Sequence, residues 1–424
     1  MALATVAVEV AFEKGLTETA GDSDFTTITT ANPVREFKII RGRQHELDTT
    51  QAGTATLVHS NSNGYLDPSN TGSPSPYYDS SSGLTNVLPM RHIRVKATDP
   101  STSTEYVIYR GFVERWQQRY PGEKDQVAVI SCTDAFKALA LADCDGSSES
   151  EEDSGTRLAN LLDQASWPGT GTTSTAGYRD IDTSGNEDVS AKTYATTDNL
   201  LTMCQDVELA EIGSFFVSRA GVMTFRNRTN RISEFATIAA TFSDTSTASG
   251  RVKYNDLGFS YDDDRVLNVI NTVLADGSTT GVQQTDSTSQ TRYGLRTKTQ
   301  TGLMLVAAGD ATAWAQYVIG RQAEPATRVV QIRLAPQEQA ALWAKVLPAE
   351  IGNAYVVERT PAAGNSLTAT VICEQITHTG RPGRWTTTMQ MSPADTAGYW
   401  VLDDGSGTYA AFSRLGDTTR LFFG

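Results

Sequence analysis

Two stretches of the chain, about 260 residues apart, run through the same succession of strand and turn signals, and this constrains the fold more than any other feature. Residues 92–135 read as a strand, a Thr98-Asp99-Pro100 loop, a long strand pair over 106–120, a charged turn at Gly122-Glu123-Lys124, a strand over 126–132 and Cys132-Thr133-Asp134-Ala135. Residues 353–394 keep that order: AYVVE, a Thr360-Pro361 loop, LTATVICEQITH, a Gly380-Arg381-Pro382-Gly383 turn, WTTTMQM and Ser392-Pro393-Ala394. Identity between the two is weak. Order and spacing held in common without the residues is the mark of a duplicated β unit, in which pleat and turn positions are constrained and most side chains are not. Two related β-barrels in one chain are expected.

The rest of the N-terminal region supports this. Segments 6–12, 36–41, 53–59 and 92–97 alternate apolar and polar residues, as a half-buried antiparallel sheet requires when successive side chains point to opposite faces. Turn clusters such as Asn61-Ser62-Asn63-Gly64 and Asp67-Pro68-Ser69-Asn70 separate them, within one long loop over 60–88. The 56 threonines, 34 glycines and 14 prolines favour strands and turns over helices. The sheet runs into a helix start at 133–142. A length of 424 residues allows two to four domains of about 100–200 residues each.

The middle of the chain changes character. Residues 143–155 (DCDGSSESEEDSG) have no apolar period and read as a linker or exposed loop. Leu158, Leu161, Leu162 and Ala165 then fall at helical spacing over 157–167, and a Gly/Thr/Ser-rich loop follows over 169–177. Thr197 is the expected N-cap of a second helix through 208, with Leu200, Leu201, Cys204 and Val207 on one face. A hairpin at 215–217 and 222–226 completes an α+β unit. From Val252 strands return, with a helix expected at 310–322. The expected fold is therefore mainly β with an α+β insert: a first barrel over 1–142, a helix-and-hairpin domain over 143–235, a second barrel with an inserted helix over 236–398 and a tail over 399–424.

No constellation for catalysis is found. His45, His59, His92 and His378 lie apart without metal-ligand spacing and read as exposed strand residues. Cys132, Cys144, Cys204 and Cys373 form no CxxC pair and read as buried thiols. There is no GxSxG elbow, and the glycine-rich stretches lack the lysine of a phosphate-binding loop. Asp143, Asp145, Glu149, Glu151, Glu152 and Asp153 do not follow an EF-hand frame and are expected to be a solvated loop. Asp262-Asp263-Asp264 reads as a charged turn before a strand at 266–273, because neighbours on a strand cannot face each other as a glycosidase pair does. Trp116, Trp167, Trp314, Trp343, Trp385 and Trp400 sit in or beside predicted elements, where burial accounts for them. Arg35, Lys38, Arg41, Arg43, Arg91, Arg94 and Lys96 crowd the first barrel, as a solvated outer face or as contacts to an acidic neighbour. Catalytic, cofactor-binding and metal sites are all expected to be absent. The formal net charge of −14 argues against a protein that grips nucleic acid or coats an anionic membrane. Neither a cationic signal sequence nor an 18-residue apolar span is found.

Several runs resemble tail proteins of long-tailed bacteriophages. They include Arg41-Gly42-Arg43-Gln44-His45-Glu46-Leu47-Asp48, Ala52-Gly53-Thr54-Ala55-Thr56-Leu57, Asn61 to Asn70, Ser75-Pro76-Tyr77-Tyr78, Pro89-Met90-Arg91-His92-Ile93-Arg94-Val95, Tyr109-Arg110-Gly111-Phe112-Val113 and Cys132-Thr133-Asp134-Ala135. The segment from Asp198-Asn199-Leu200-Leu201 through Ile212-Gly213-Ser214-Phe215-Phe216-Val217 to Gly221-Val222-Met223-Thr224-Phe225 is similar to the tail-hub family, as are Trp385-Thr386-Thr387-Thr388-Met389 and Trp400-Val401-Leu402-Asp403-Asp404. The resemblance spans most of the chain, is weakest over 230–310, and carries no catalytic residue. It implies a structural, non-enzymatic baseplate or tail-tip hub: a homotrimer whose two barrels per chain form a six-barrel ring. Such a hub joins the six-fold tube to a three-fold central fibre or spike protein, beside a distal tail ring protein and a tape measure protein. DNA passes through without being specifically bound, and the acidity suits a lumen that repels it. The implied place is the virion tail tip, after synthesis in the bacterial cytoplasm. The competing readings are a hexameric distal tail ring protein, which one barrel per chain suits better, and a tail-borne glycan binder or hydrolase with exposed tryptophans in a groove.

Overall fold

The computed structural model describes residues 2–394 apart from 47, 73–74, 123–124, 170–177, 184–186, 235–236, 246–249, 262, 278–281 and 326–327. The expected tail over 399–424 with Trp400, Asp262, the turn residues Glu123 and Lys124 and most of the 169–177 loop lie outside the described residues.

The first unit is built from β1 (Thr5–Ala11), β2 (Val34–Gly42), β3 (Gln51–Ser60), β4 (His92–Thr98), β5 (Glu105–Gly122) and β6 (Asp125–Thr133). They pair antiparallel in the spatial order β2-β3-β6-β5-β4-β1. Val8, Ile39, Leu57, Val95, Ile108 and Ile130, one from each strand, enter a single apolar core. Strands at both ends of the path therefore face the same interior, so the sheet is rolled around it, with alternate residues inside as the pleat dictates.

Next come α1 (Phe136–Ala140), α2 (Ser154–Gln164), α3 (Leu200–Glu211), the hairpin β7 (Ser214–Val217) and β8 (Met223–Arg226), and α4 (Arg228–Glu234). Residues 143–155 are not a free linker. Ser148–Glu149 and Glu152–Asp153 pair with Lys192–Thr193 and Asp188–Val189, and the Asp153 carboxylate accepts from the Thr156 amide at 2.9 Å as the N-cap of α2. Glu152 bonds the fully buried Arg157 at 2.6 Å. The acidic residues thus serve local hydrogen bonds that composition cannot reveal. Similarly α3 is capped by Asn199, which accepts from the Thr202 amide, and not by Thr197. Asp198 closes a preceding turn by accepting from the Ala195 amide at 2.9 Å, which keeps 195–198 out of the helix.

The second unit comprises β9 (Ile238–Ser243), β10 (Asp256–Ser260), β13 (Arg328–Leu334), β14 (Ala354–Arg359), β15 (Leu367–Arg381) and β16 (Arg384–Pro393), with β11 (Val269–Leu274), β12 (Thr297–Leu303) and α5 (Ala308–Gln322) between β10 and β13. Its pairing order is β10-β13-β16-β15-β14-β9, strand for strand the path of the first unit. The two depart at one end, where β9 lies parallel to β14 and β1 lies antiparallel to β4. One irregularity corresponds as well: β5 bulges at Glu114 and β15 at Glu374. Phe242, Ile332, Val357, Val371 and Met389 form the second core. The helix expected at 310–322 is present as α5, but Trp314 and Val318 bury against Leu161, Val207 and Phe225 of the middle unit, together with Ile270 and Leu303 of β11 and β12.

The two rolled units are one sheet. Residues 37–42 of β2 pair antiparallel with 375–380 of β15, from Phe37 opposite Gly380 to Gly42 opposite Gln375. Through this seam the described residues form a 14-stranded sheet.

Candidate functional site

The seam is where chemistry-bearing side chains converge, and the sequence Arg41-Gly42-Arg43 at the end of β2 explains why. Gly42 has φ +98°, and a Cβ there would stand 2.1 Å from the Glu374 carbonyl oxygen, so only glycine fits. The close approach lets the Arg43 amide donate to that oxygen at 2.9 Å. It also sends the two flanking arginines into the interior: Arg41 and Arg43 are both buried.

Arg43 is the centre of a buried ionic network. Its Nε donates to Glu374 Oε2 at 2.8 Å and one terminal nitrogen to Glu208 Oε1 at 3.1 Å. Glu208, from α3, also accepts from the Thr50 hydroxyl at 3.2 Å and the Phe215 amide at 3.0 Å. Arg231 of α4 lies 3.9 Å from Glu374. Burial works against the charge of Glu374, but the attraction of Arg43 and Arg231 outweighs it and holds its carboxyl below the usual range. For Glu208 burial wins, and its carboxyl is pushed up despite Arg43 beside it. One arginine thus ties the first sheet, the second sheet and the middle unit together. Arg41 makes a parallel link: it bonds Glu350, whose other oxygen accepts from the Arg219 amide of the β7–β8 turn at 2.8 Å. Arg321 of α5 bonds Glu46 at 2.6 Å, and Trp314 donates to the Leu209 carbonyl at 2.9 Å, seating α5 over the same junction. A cavity of about 220 Å³ remains there, lined by Arg43, Glu46, Asp48, Glu208 and Trp314.

On the other side of the seam, Phe37 meets Trp385 edge-on at 4.8 Å and Trp385 meets Trp343 at 5.3 Å. Gly380 makes room for Phe37, since a Cβ there would fall 2.0 Å from the ring. His378 sits opposite Ile39 and shares a hydrogen bond with Thr387 at 2.9 Å. Burial, with Arg41 adding to it, pushes its imidazole down to about 3. What the arrangement does is hold three units in one geometry, through Arg43 with Glu374 and Glu208 and through Arg41 with Glu350.

The histidines depart from expectation. His59, His92 and His378 are buried, not exposed: His59 and His378 fall on the inner phase of their strands, while His92 shares the outer phase of β4 with Arg94 and is covered there by Phe112, 4.6 Å away, and by the Gly15 segment. His59 bonds the Asn32 carbonyl at 2.7 Å and His92 the Gly15 carbonyl at 2.8 Å, and burial lowers both to about 4. His45 accepts from Arg265 at 2.8 Å. A solvated face for the cations of the first unit is also overturned at Arg41, Arg43 and Arg94, which are buried in ion pairs with acids of this same chain. Arg35 pairs with Asp125, and Lys96 with Glu105 at 2.9 Å. All four cysteines are free and buried. Trp116, Trp167, Trp314, Trp343 and Trp385 are buried, so none offers a ring platform for a sugar. Asp263 pairs with Arg296. Among the described residues no group of three His, Cys, Asp or Glu is placed to hold a metal ion, and no helix is long and apolar enough to cross a membrane.

The carboxylates that complete the network were not singled out from sequence. Their signal was present: Glu374 interrupts an apolar run in VICEQI, and Glu208 and Glu211 share a helix face with Cys204 and Val207. An acid on an apolar face needs a buried cation, and Arg41 and Arg43 were the candidates.

No family model matches the chain, and no curated protein matches it. Solved structures do. A tail protein from Neisseria meningitidis MC58 superimposes with a TM-score of 0.58 at 10% identity, over 92% of this chain and 96% of that one. The 43 kDa tail protein of prophage MuSo2 from Shewanella oneidensis does so with a TM-score of 0.54 at 10% identity, over 93% and 98%. At such identity the likeness is one of fold, over nearly the whole length of both partners.

Proposed function

We propose that this chain, which has the fold of phage tail proteins, is a structural, non-enzymatic tail-tip hub of a bacteriophage virion. The observation that carries this reading is the pair of six-stranded units with one strand path, fused edge to edge and locked by Arg43. A structural ring needs a repeated module held at a fixed angle, and a duplicated module lets three chains supply six positions. The division into a first barrel to residue 142, a middle domain to 235, a second barrel to 398 and a tail belongs to this proposal. So do the homotrimer and its neighbours, namely a distal tail ring protein, a tape measure protein and a central fibre or spike protein, and synthesis in the host cytoplasm before assembly at the tail tip. The buried tryptophans weigh against the glycan reading, and two modules per chain weigh against a hexamer.

Particle images of assembled tails test this directly. Three copies of the chain per tip are expected, with density for six barrels around the axis; six copies overturn the trimer. The acidic balance supports passage of DNA without retention: across low to moderate salt the chain should retain no duplex, and salt-sensitive binding would overturn that part of the reading.

A further inference from the structure

The seam inside the chain is made by the edge of β2 against the far half of β15. The same two surfaces exist a second time and are open: β10 holds in the second unit the place of β2, and the far half of β5 holds in the first unit the place of β15. Pairing registers establish the correspondence. Phe37 pairs with Leu57, Leu57 with Ile130 and Ile130 with Trp116, just as Leu257 pairs with Ile332, Ile332 with Met389 and Met389 with Ile376. β10 has β13 on one side and, among the described residues, no strand on the other. β5 pairs with β4 only up to Phe112, and beyond it only β6 pairs with 115–119.

We propose that β10 of one copy adds antiparallel to the end of β5 of a second copy, in the register of the internal seam, which places Ser260 opposite Gln117, Phe259 opposite Gln118 and Gly258 opposite Arg119. This rests on the trimeric hub reading and names its contact. Both edges carry what an internal edge carries once covered. Phe259, Tyr261 and Tyr120 are 46%, 66% and 66% exposed, while Ile39 and Phe37, in the places of Phe259 and Leu257, are 0% and 3% exposed. Tyr120 follows Arg119 as Gly380 follows Thr379, so the large residue opposite Leu257 comes from β5, where in the internal seam it is Phe37 of β2 that fills the space over Gly380. Charge agrees: Arg115 and Arg119 are exposed and form no ion pair among the described residues, and the exposed Asp256 opens β10. On the proposed register Arg119 lies diagonal to Asp256, within reach of long side chains. Because the two edges are different surfaces, the contact is head-to-tail and closes a ring only if its rotation repeats that of the internal seam. An open edge of this kind left unpartnered is an aggregation hazard, which a specific strand partner removes.

The test is a disulfide across the proposed ladder in the full-length chain, where the four native cysteines are buried. Gln117→Cys with Ser260→Cys should oxidise to a covalent three-chain species on a non-reducing gel, undone by reductant, and neither single variant should. Gln117→Cys with Asp256→Cys is displaced by four residues, about 13 Å, too far for a disulfide. Trimers by native mass spectrometry with no cross-link, or with equal cross-linking at the displaced pair, overturn the strand pairing and leave the trimer standing. Cross-linked ladders that pass three chains without closing support the pairing and overturn the trimer. Monomers at high concentration with no cross-link overturn both.

Discussion

The covered seam and the open edges occupy the same places in two copies of one sheet, and they have been furnished differently. At the bulge of β15, Glu374 is buried and answered by Arg43 at 2.8 Å; at the matching bulge of β5, Glu114 is partly exposed and answered by Lys137 at 2.8 Å. Facing β2, β15 presents His378; at the matching place β5 presents Gln118. Glycines mark the covered side, Gly42 and Gly380, where backbone or ring comes within 2.1 Å of a would-be Cβ. Gly258 on the open edge has only ordinary contacts, the nearest at 3.7 Å. Covering an edge thus demands compact backbone, a fixed cation and an uncharged imidazole; an edge in solvent demands none of them.

Removing the cations should have the largest effect. Arg43→Ala leaves Glu374 and Glu208 buried without their shared partner and should cost about 3–5 kcal/mol in denaturant unfolding. Lys137→Ala removes the solvent-screened counterpart and should cost about 0–1 kcal/mol. Equal losses would mean the seam is no more than surface.

Acid should separate the two regions next. The folded imidazole of His378 is depressed from its ordinary 6.5 to about 3, with burial the first cause and Arg41 the second. A depressed base contributes stability above its unfolded pKa and loses it as pH falls toward the folded one, so the loss begins near pH 6.5 and by pH 4 reaches roughly 3 kcal/mol. His59 and His92 slope the same way, so the measurement is a difference: stability from pH 7 to 4 in the parent and in His378→Gln, which gives the seam the residue of the open edge. The variant should show a flatter curve. Asp134 runs opposite, its buried carboxyl raised to about 7, so its contribution is lost as pH climbs through 7.

A smaller effect separates the glycines. Gly380→Ala must displace the Phe37 ring and should destabilise by about 1–3 kcal/mol. Gly258→Ala meets only ordinary contacts, the nearest at 3.7 Å, and should stabilise the isolated chain slightly, by about 0.4–1 kcal/mol, through the unfolded state. Thermal unfolding of the two variants side by side decides it.

The strands and their duplicated order were legible because period-2 alternation and turn clusters are local signals, and β4-β5-β6 and β14-β15-β16 are both local meanders. The seam was not, since the pairing of β2 with β15 spans more than three hundred residues and leaves no local trace. The same distance hid the network: Arg41 and Arg43 read as surface charge until Glu374 of β15, Glu208 of α3 and Glu350 of the loop before β14 meet them. The histidines were misplaced for a subtler reason. His59 and His378 sit on the inner phase of their strands, but a polar ring at an inner position looks like the outer phase until its hydrogen-bond partner is known, and His92 is on an outer phase that Phe112 and the Gly15 segment happen to cover. Helix starts were displaced where a competing turn, such as that of Asp198, claimed the cap.

The smallest effect on the isolated chain is also the one aimed at the open edge alone. Arg119 is exposed and unpaired among the described residues, so Arg119→Glu should change unfolding by less than about 0.5 kcal/mol. If the open edges are as idle as that figure suggests, assembly will be unchanged too. If they form the head-to-tail ladder, the new carboxylate meets Asp256 across the strands, and the dissociation constant of the oligomer should rise several-fold, more at low salt than at high. Asp256→Arg introduced in the same chain reverses the pair and should restore assembly without touching stability. Sedimentation at two ionic strengths separates these outcomes, because a residue that matters only for folding has no reason to be rescued by its neighbour on another copy.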